Sequence, residues 1–182
     1  PGPLVRRLAD PRRRLVRDLL AILADSGRPE AIGGLRTACA HPDVVVFDLA
    51  FDYAKCARLA VAAADGCSPA AVAAVVGALQ AAGMAVSRLD DVAGLPVMRT
   101  VAMLANEAAD AVTQGIASAR DVDLAMMRGV NYPRGPLAWA DAIGVPHLRA
   151  TLHHLAAHYG EDRYRLAPLI ARRGATGGKL GE

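Results

Sequence analysis

Aromatic side chains make up only 4% of this 182-residue chain, with one Trp and two Phe. A core of stacked rings is therefore excluded, and much of the 53% hydrophobic content is alanine. Alanine has the best intrinsic helix propensity, so helices packed closely through small side chains are expected. Cysteine is equally scarce. Cys39, Cys56 and Cys67 show no CxxC spacing, and their odd number cannot close a full internal disulfide set. Reduced thiols in a cytoplasmic protein are the plain reading. The apolar runs are short, which leaves no candidate for a membrane-spanning helix. The basic first residues lead from Arg12-Arg13-Arg14 into an amphipathic stretch, so no signal peptide is expected. Phosphate-binding signatures are missing too. No GxGxxG, GxxxxGK[ST] or GxSxG occurs, and Gly33-Gly34 lacks the spacing that brings backbone amides to a pyrophosphate. Tight binding of a dinucleotide by this chain alone is excluded on that ground.

What is present describes a folded protein. A mean hydropathy of +0.24 rules out a mainly disordered chain, and 182 residues suffice for one sizeable core or two small domains. The formal charge of +3 gathers near the ends, in Arg6, Arg7, Arg12, Arg13, Arg14 and Arg17 and in Arg163, Arg165, Arg172 and Arg173. No helix-turn-helix or aromatic-interleaved motif accompanies these clusters, so nucleic acid is not an expected partner. A solvated face, or a surface meeting an anionic phosphate-bearing ligand, explains them better. The chain opens at Pro1-Gly2-Pro3 without an initiator methionine, as a processed product or a piece of a longer protein would.

Periodicity divides the chain near residue 92. A helix is predicted from Pro11 to Ser26, ended by Gly27. Val44-Val45-Val46-Phe47 reads as a buried strand and Leu59-Ala60-Val61-Ala62 as a weaker one. Ser68-Pro69 opens a helix with Val72, Val75, Val76 and Leu79 on its apolar face, Gly83 ends it in a left-handed turn, and Met84-Ala85-Val86 follows as a strand. This alternation predicts a small α/β layer with parallel strands. Beyond it, Val97, Val101, Leu104, Ala108 and Val112 form a helical stripe from Pro96 to about Thr113. Ser118-Ala119-Arg120-Asp121 has the form of a capping box, opening a helix through Met127 that Gly129 closes. Further helices are predicted over Leu137 to Ile143, closed by Gly144, and from Pro146 to His158. The glycine-rich stretch past Arg173 reads as a mobile tail.

Several polar residues invite chemistry. His154 and His158 stand at i, i+4, where two imidazoles can share an ion, and Glu161 lies near. The HExxH form is absent, however, and surface histidines at a helix end are the favoured reading, so no metal is expected. His147, after Pro146, would need an oriented carboxylate for acid–base work. Asp121 and Asp123 lie two apart on a helix and point in different directions, which argues against a shared role and for Asp121 as a helix N-terminal acid. Asn106 and Glu107 interrupt an apolar helix. A buried hydrogen-bonding role is favoured there over substrate contact, because buried polar groups must be paired.

The second half carries a connected set of motifs. Asp91-Val92-Ala93-Gly94-Leu95-Pro96-Val97-Met98-Arg99 leads into Asn106-Glu107-Ala108. Gly115-Ile116-Ala117-Ser118, Asp121-Val122-Asp123 and Ala125-Met126 follow, and then Tyr132-Pro133-Arg134-Gly135-Pro136-Leu137. In this order they resemble the C-terminal domain of 3-hydroxyacyl-CoA dehydrogenases. The fuller stretches from Arg99 to Glu107, Gly129 to Trp139 and Gly160 to Arg165 are similar to the second C-terminal repeat of long phenylacetate-degradation enzymes, of the 3-hydroxyadipyl-CoA or 3-hydroxybutyryl-CoA dehydrogenase type.

The resemblance implies an α+β fold, mainly α. A small, reduced Rossmann-like α/β layer without an NAD fingerprint would occupy 1–91, and a helical bundle like the C-terminal domain of 6-phosphogluconate dehydrogenase 92–175, with 176–182 a flexible tail. For the intact enzyme it implies oxidation of a 3-hydroxyacyl-CoA to the 3-oxo thioester with NAD, in a cytoplasmic homodimer, with no cofactor bound to this chain. The family's catalytic histidine–glutamate pair has no match before residue 92, and Met98 stands where the first repeat has a substrate-assisting asparagine. No catalytic residue is therefore expected here. The substrate-side or interface candidates are Arg99, Asn106, Glu107, Asn131, Tyr132 and Arg134. Two rival expectations are a non-catalytic oligomerisation module and a stand-alone protein that binds acyl-CoA or other anions.

Overall fold

The computed structural model describes residues 44–53 and 55–181. The helix expected from Pro11, the Gly33-Gly34 pair, Cys39 and the N-terminal arginines lie outside the described residues. The chain divides into two compact units between Leu95 and Pro96.

The first unit is a three-stranded sheet with one helix. Strand β1 spans Val45–Phe47, β2 Arg58–Ala63 and β3 Ala85–Leu89, in spatial order β1-β2-β3. β2 and β3 are parallel, with Leu59 opposite Val86, and helix α1 (Pro69–Ala81) connects them. β1 departs from the expected parallel arrangement: it runs antiparallel to β2, with Val46 opposite Ala62. Alternating side chains divide β2 between two faces. Leu59 and Val61 pack with Leu79, Ala82 and Met84, while Ala62 packs with Val46 and Leu95. On α1 the expected face is half right: Val72 and Leu79 are buried but Val75 is exposed. The caps agree with the sequence. Ser68 Oγ accepts the Ala71 N–H at 3.2 Å, and Gly83 takes a positive φ of 85° as the chain turns into β3.

The second unit is helical: α2 (Pro96–Thr113), α3 (Ala119–Gly129), α4 (Pro136–Ile143), α5 (Val145–Tyr159), a 3-10 turn (Asp162–Tyr164) and α6 (Pro168–Thr176). α2 is the central rod, packed against α3, α4, α5 and α6. Its buried face is rotated from the expected stripe. Met98, Val101, Ala102, Ala105, Asn106, Ala108 and Ala109 are buried, whereas Val97 is exposed. Alanine explains the rotation, because a face of methyl groups lets neighbouring helices approach closely and excludes water as well as a valine stripe does. α5 buries Val145, Leu148, Leu152 and Leu155, one side of its cylinder. Gly144 closes α4 and starts α5 at φ 95°, a backbone conformation that L side chains rarely adopt.

The sequence closes α3 at Gly129, and Gly129 is its last residue; the positive φ beyond it falls on Asn131 at 58°. No helix is expected from Pro168, and the segment past Arg173 is expected to be mobile, yet both are built into the unit. α6 extends to Thr176, and Leu180 is 1% exposed. Among the described residues no helix is long and apolar enough to cross a membrane.

Candidate functional site

The six candidate residues lie on α2 and on the turn between α3 and α4, and their contacts sort them into different roles. Asn106 is buried and uses both ends of its amide. Its Nδ2 donates to the Arg165 carbonyl at 2.8 Å, and its Oδ1 accepts the Ala167 N–H at 2.9 Å. The side chain thus fixes the segment leading into α6, and a substrate would have to displace two protein hydrogen bonds to reach it. Arg99 Nη1 donates to the Tyr159 hydroxyl at 2.9 Å, with its guanidinium carbon 5.7 Å from the centre of that ring. Tyr159 in turn stacks on Tyr164, centroids 5.0 Å apart. Glu107 is exposed, beside the buried Asn106 on the same helix.

The α3–α4 turn is built by a carboxylate. Asp123 Oδ1 accepts the Leu137 N–H at 2.8 Å and Oδ2 the Ala138 N–H at 3.0 Å, capping α4 from the neighbouring helix. A Cβ at Gly135 would run into the Asp123 carboxyl, so the cap requires glycine there. Proline at the first position of α4 has no N–H to satisfy. The Asp-x-Asp and Gly-Pro-Leu motifs are therefore two halves of one joint. Asp121 has the other role: its backbone N–H is capped by Ser118 Oγ at 3.2 Å, and Ser118 donates back to Asp121 Oδ2 at 2.7 Å. The joint carries the remaining candidates. Asn131 and Arg134 are exposed, and the Tyr132 ring lies against Trp139, centroids 5.2 Å apart. These contacts place five of the six candidates in three groups, around Tyr159, around Arg165 and on the α3–α4 joint.

Met98 is fully buried, so it is a core residue and offers no polar group to a ligand. His154 and His158 are exposed on α5, and the His158 ring meets Tyr159 edge-on with centroids 4.7 Å apart. Among the described residues, no group of three His, Cys, Asp or Glu side chains is placed to hold a metal ion. His147 differs from the other described histidines: its Nε2 is buried without a hydrogen-bond partner, and burial lowers its pKa below the ordinary histidine value.

Sequence reasoning missed a feature of the α/β unit. A cavity of about 300 Å³ is lined by Asp65, Arg88, Asp90 and Asp91 over Val45, Val61 and Val72. It lies where parallel β2 and β3 end, the usual ligand position in an open α/β sheet. Burial and then the charge of Asp65 raise the Asp91 pKa above the ordinary carboxylate value. The signal was available in sequence, as carboxylates within two residues of the end of both strands. These residues do not fit NAD. The loop from β2 to α1 is Ala64-Asp65-Gly66-Cys67-Ser68, Ser68 already caps α1, and Asp65 opposes an anionic pyrophosphate.

Comparison with known proteins agrees with both units. Residues 34–92 match the 3-hydroxybutyryl-CoA dehydrogenase reduced Rossmann-fold domain, and residues 94–182 match the 3-hydroxyacyl-CoA dehydrogenase C-terminal domain. A 3-hydroxyadipyl-CoA dehydrogenase of Escherichia coli (strain K12) is 51% identical over 77 residues, 42% of this chain and 16% of that enzyme. A 3-hydroxybutyryl-CoA dehydrogenase of Clostridioides difficile is 37% identical over 76 residues, 42% of this chain and 27% of that protein. The crystal structure of 3-hydroxybutyryl-CoA dehydrogenase from Escherichia coli K12 superposes with a TM-score of 0.72 at 38% identity, covering 80% of this chain and 30% of that one. That of the (S)-3-hydroxybutyryl-CoA dehydrogenase from Ralstonia eutropha gives 0.71 at 25% identity, covering 80% and 53%. The matches to these two curated enzymes thus span less than a third of either one's length.

Proposed function

Because the chain belongs to the 3-hydroxyacyl-CoA dehydrogenase family, we propose that it is an accessory portion of such an enzyme. The intact enzyme would convert a 3-hydroxyacyl-CoA to the 3-oxoacyl-CoA with NAD in the cytoplasm. This portion contributes no catalytic residue and binds no cofactor; 92–175 serve as the substrate-side and subunit-contact domain, and the α/β segment before them is a remnant of a nucleotide layer. The observation that carries this reading is the Asp123–Gly135 joint, which presents exposed Asn131 and Arg134 and half-buried Tyr132 from a rigidly capped helix start. On this reading Glu107, Asn131 and Arg134, exposed, and Tyr132, half-buried, are the substrate-side or interface candidates. Arg99 and Asn106 are read as structural instead, holding Tyr159 and the segment from Arg165 to Ala167. The test is NADH consumption with acetoacetyl-CoA. No turnover by the 182-residue chain, beside activity in a longer product of the same gene, is the expected result. Turnover by the chain alone would overturn the reading.

One observation favours a second reading, an oligomerisation module. α3 buries no residue, and Ile116, Leu124, Met127 and Val130 on and around it are all exposed. Such an amphipathic helix gains its stability by covering that face, and a homodimer that forms regardless of acyl-CoA would favour this role.

A further inference from the structure

The segment after α6 reads in sequence as loose glycine-rich chain, yet it repeats the construction of the α3–α4 joint. Gly177 turns the chain out of α6 at φ 74°. Leu180 then enters the core at 1% exposure. Asp141, on the last turn of α4, grips the backbone at this point: Oδ1 accepts the Leu180 N–H at 2.7 Å and Oδ2 the Gly181 N–H at 3.1 Å. Asp123 holds the start of α4 with the same geometry, one carboxylate oxygen to each of two consecutive backbone N–H groups. A Cβ on Gly181 would approach Asp141 Oδ2 to 3.2 Å, so the smallest residue stands where the carboxylate comes closest.

We propose that residues 177–181 are a strap that latches the helical unit through Asp141 and the Leu180 plug. The physical need lies in α4. At 8 residues it is too short to hold its own hydrogen bonds in water. Asp123 organises its first turn, and the strap closes over its far end. Leu180 and Asp141 act together, because the leucine stays buried only while the carboxylate holds the two N–H groups that flank its Cα. With the strap released, the leucine's place in the core stands open and Asp141 loses both donors. The latch is independent of the activity proposed above, since it needs no substrate and no partner.

The test is a double-mutant cycle in the 182-residue chain, pairing Asp141→Asn with truncation after Gly178 and reading the urea midpoint. An asparagine offers one acceptor where the carboxylate offers two. Each change alone is expected to lower the midpoint, and Asp141→Asn is expected to have no effect once the strap is gone. Equal loss in both backgrounds, or no loss from either single change, overturns the latch. If a variant fails to fold, amide exchange in the unaltered chain decides. Leu180 and Gly181 N–H groups exchanging at least ~100-fold slower than an unstructured peptide support the strap, and exchange at the peptide rate refutes it.

Discussion

Replacing Asn106 with alanine tests whether this residue is structural. Its amide satisfies the Ala167 N–H, fully buried, and the Arg165 carbonyl, partly buried. Removing it orphans both groups. A buried unsatisfied N–H costs about 1–3 kcal/mol, and a partly solvated carbonyl costs less. The lost amide also leaves a small void under α2. A loss of about 2–4 kcal/mol is expected, which for a domain of this size lowers Tm by roughly 10–25 °C. Calorimetry and urea unfolding measure it directly. Asn106→Asp sharpens the test. It keeps the acceptor for Ala167 but turns a carboxylate oxygen toward the Arg165 carbonyl. Burial beside that carbonyl raises the new carboxyl's folded pKa, so its stability is present at low pH and lost as pH rises. The variant should therefore be weaker at pH 7 than at pH 4, relative to the unaltered chain. If Asn106→Ala melts within about 0.5 kcal/mol of that chain, the two hydrogen bonds do not hold the α6 segment and the structural reading fails.

The same contacts set three further outcomes. Met98→Asn places an amide where the side chain is fully buried; a loss of about 2–4 kcal/mol in urea unfolding is expected, and an unchanged midpoint would mean that position 98 opens to solvent. Gly135→Ala pushes a methyl group into the Asp123 carboxyl and should cost about 2 kcal/mol, with exchange of the Leu137 and Ala138 amides accelerating first; unaffected exchange would dissolve the joint. His147 has a folded pKa below its unfolded value of about 6.5 because of burial. Its neutral form is favoured on folding, so stability is full above about pH 7 and declines as pH falls and the unfolded state takes up the proton. His147→Asn should flatten the urea midpoint between pH 7.5 and 5.5 (roughly one unit either side of the free value), and an unchanged slope would assign it elsewhere.

Where the sequence read well, the signal was local. Ser68 and Ser118 cap the helices expected of them, the limits of α2 match its periodic stretch, and α+β with a small α/β layer describes the molecule. Each depends on contacts within a few residues. Asp123 shows the opposite case. Its spacing from Asp121 correctly indicated different directions, but its partners lie 14 and 15 residues on, and nothing in the sequence specifies that distance. Position 106 was legible as a buried polar residue in need of partners. That those partners are backbone groups 59 and 61 residues away was not.

What the sequence determined by itself is most of the helix and strand segments, α6 excepted, where serine and glycine start and stop several of them, and the family to which the chain belongs. The segments and their limits come from backbone sterics, capping and periodicity, which act over a turn or two. Tertiary structure decided the rest. β1 runs antiparallel because strand periodicity is the same in either direction, and pairing alone sets the sense. α2 turns its alanine face inward because close approach of neighbouring helices makes small side chains the contact. The glycine-rich end is anchored because Asp141, 39 residues before Leu180, presents two oxygens to the Leu180 and Gly181 amides.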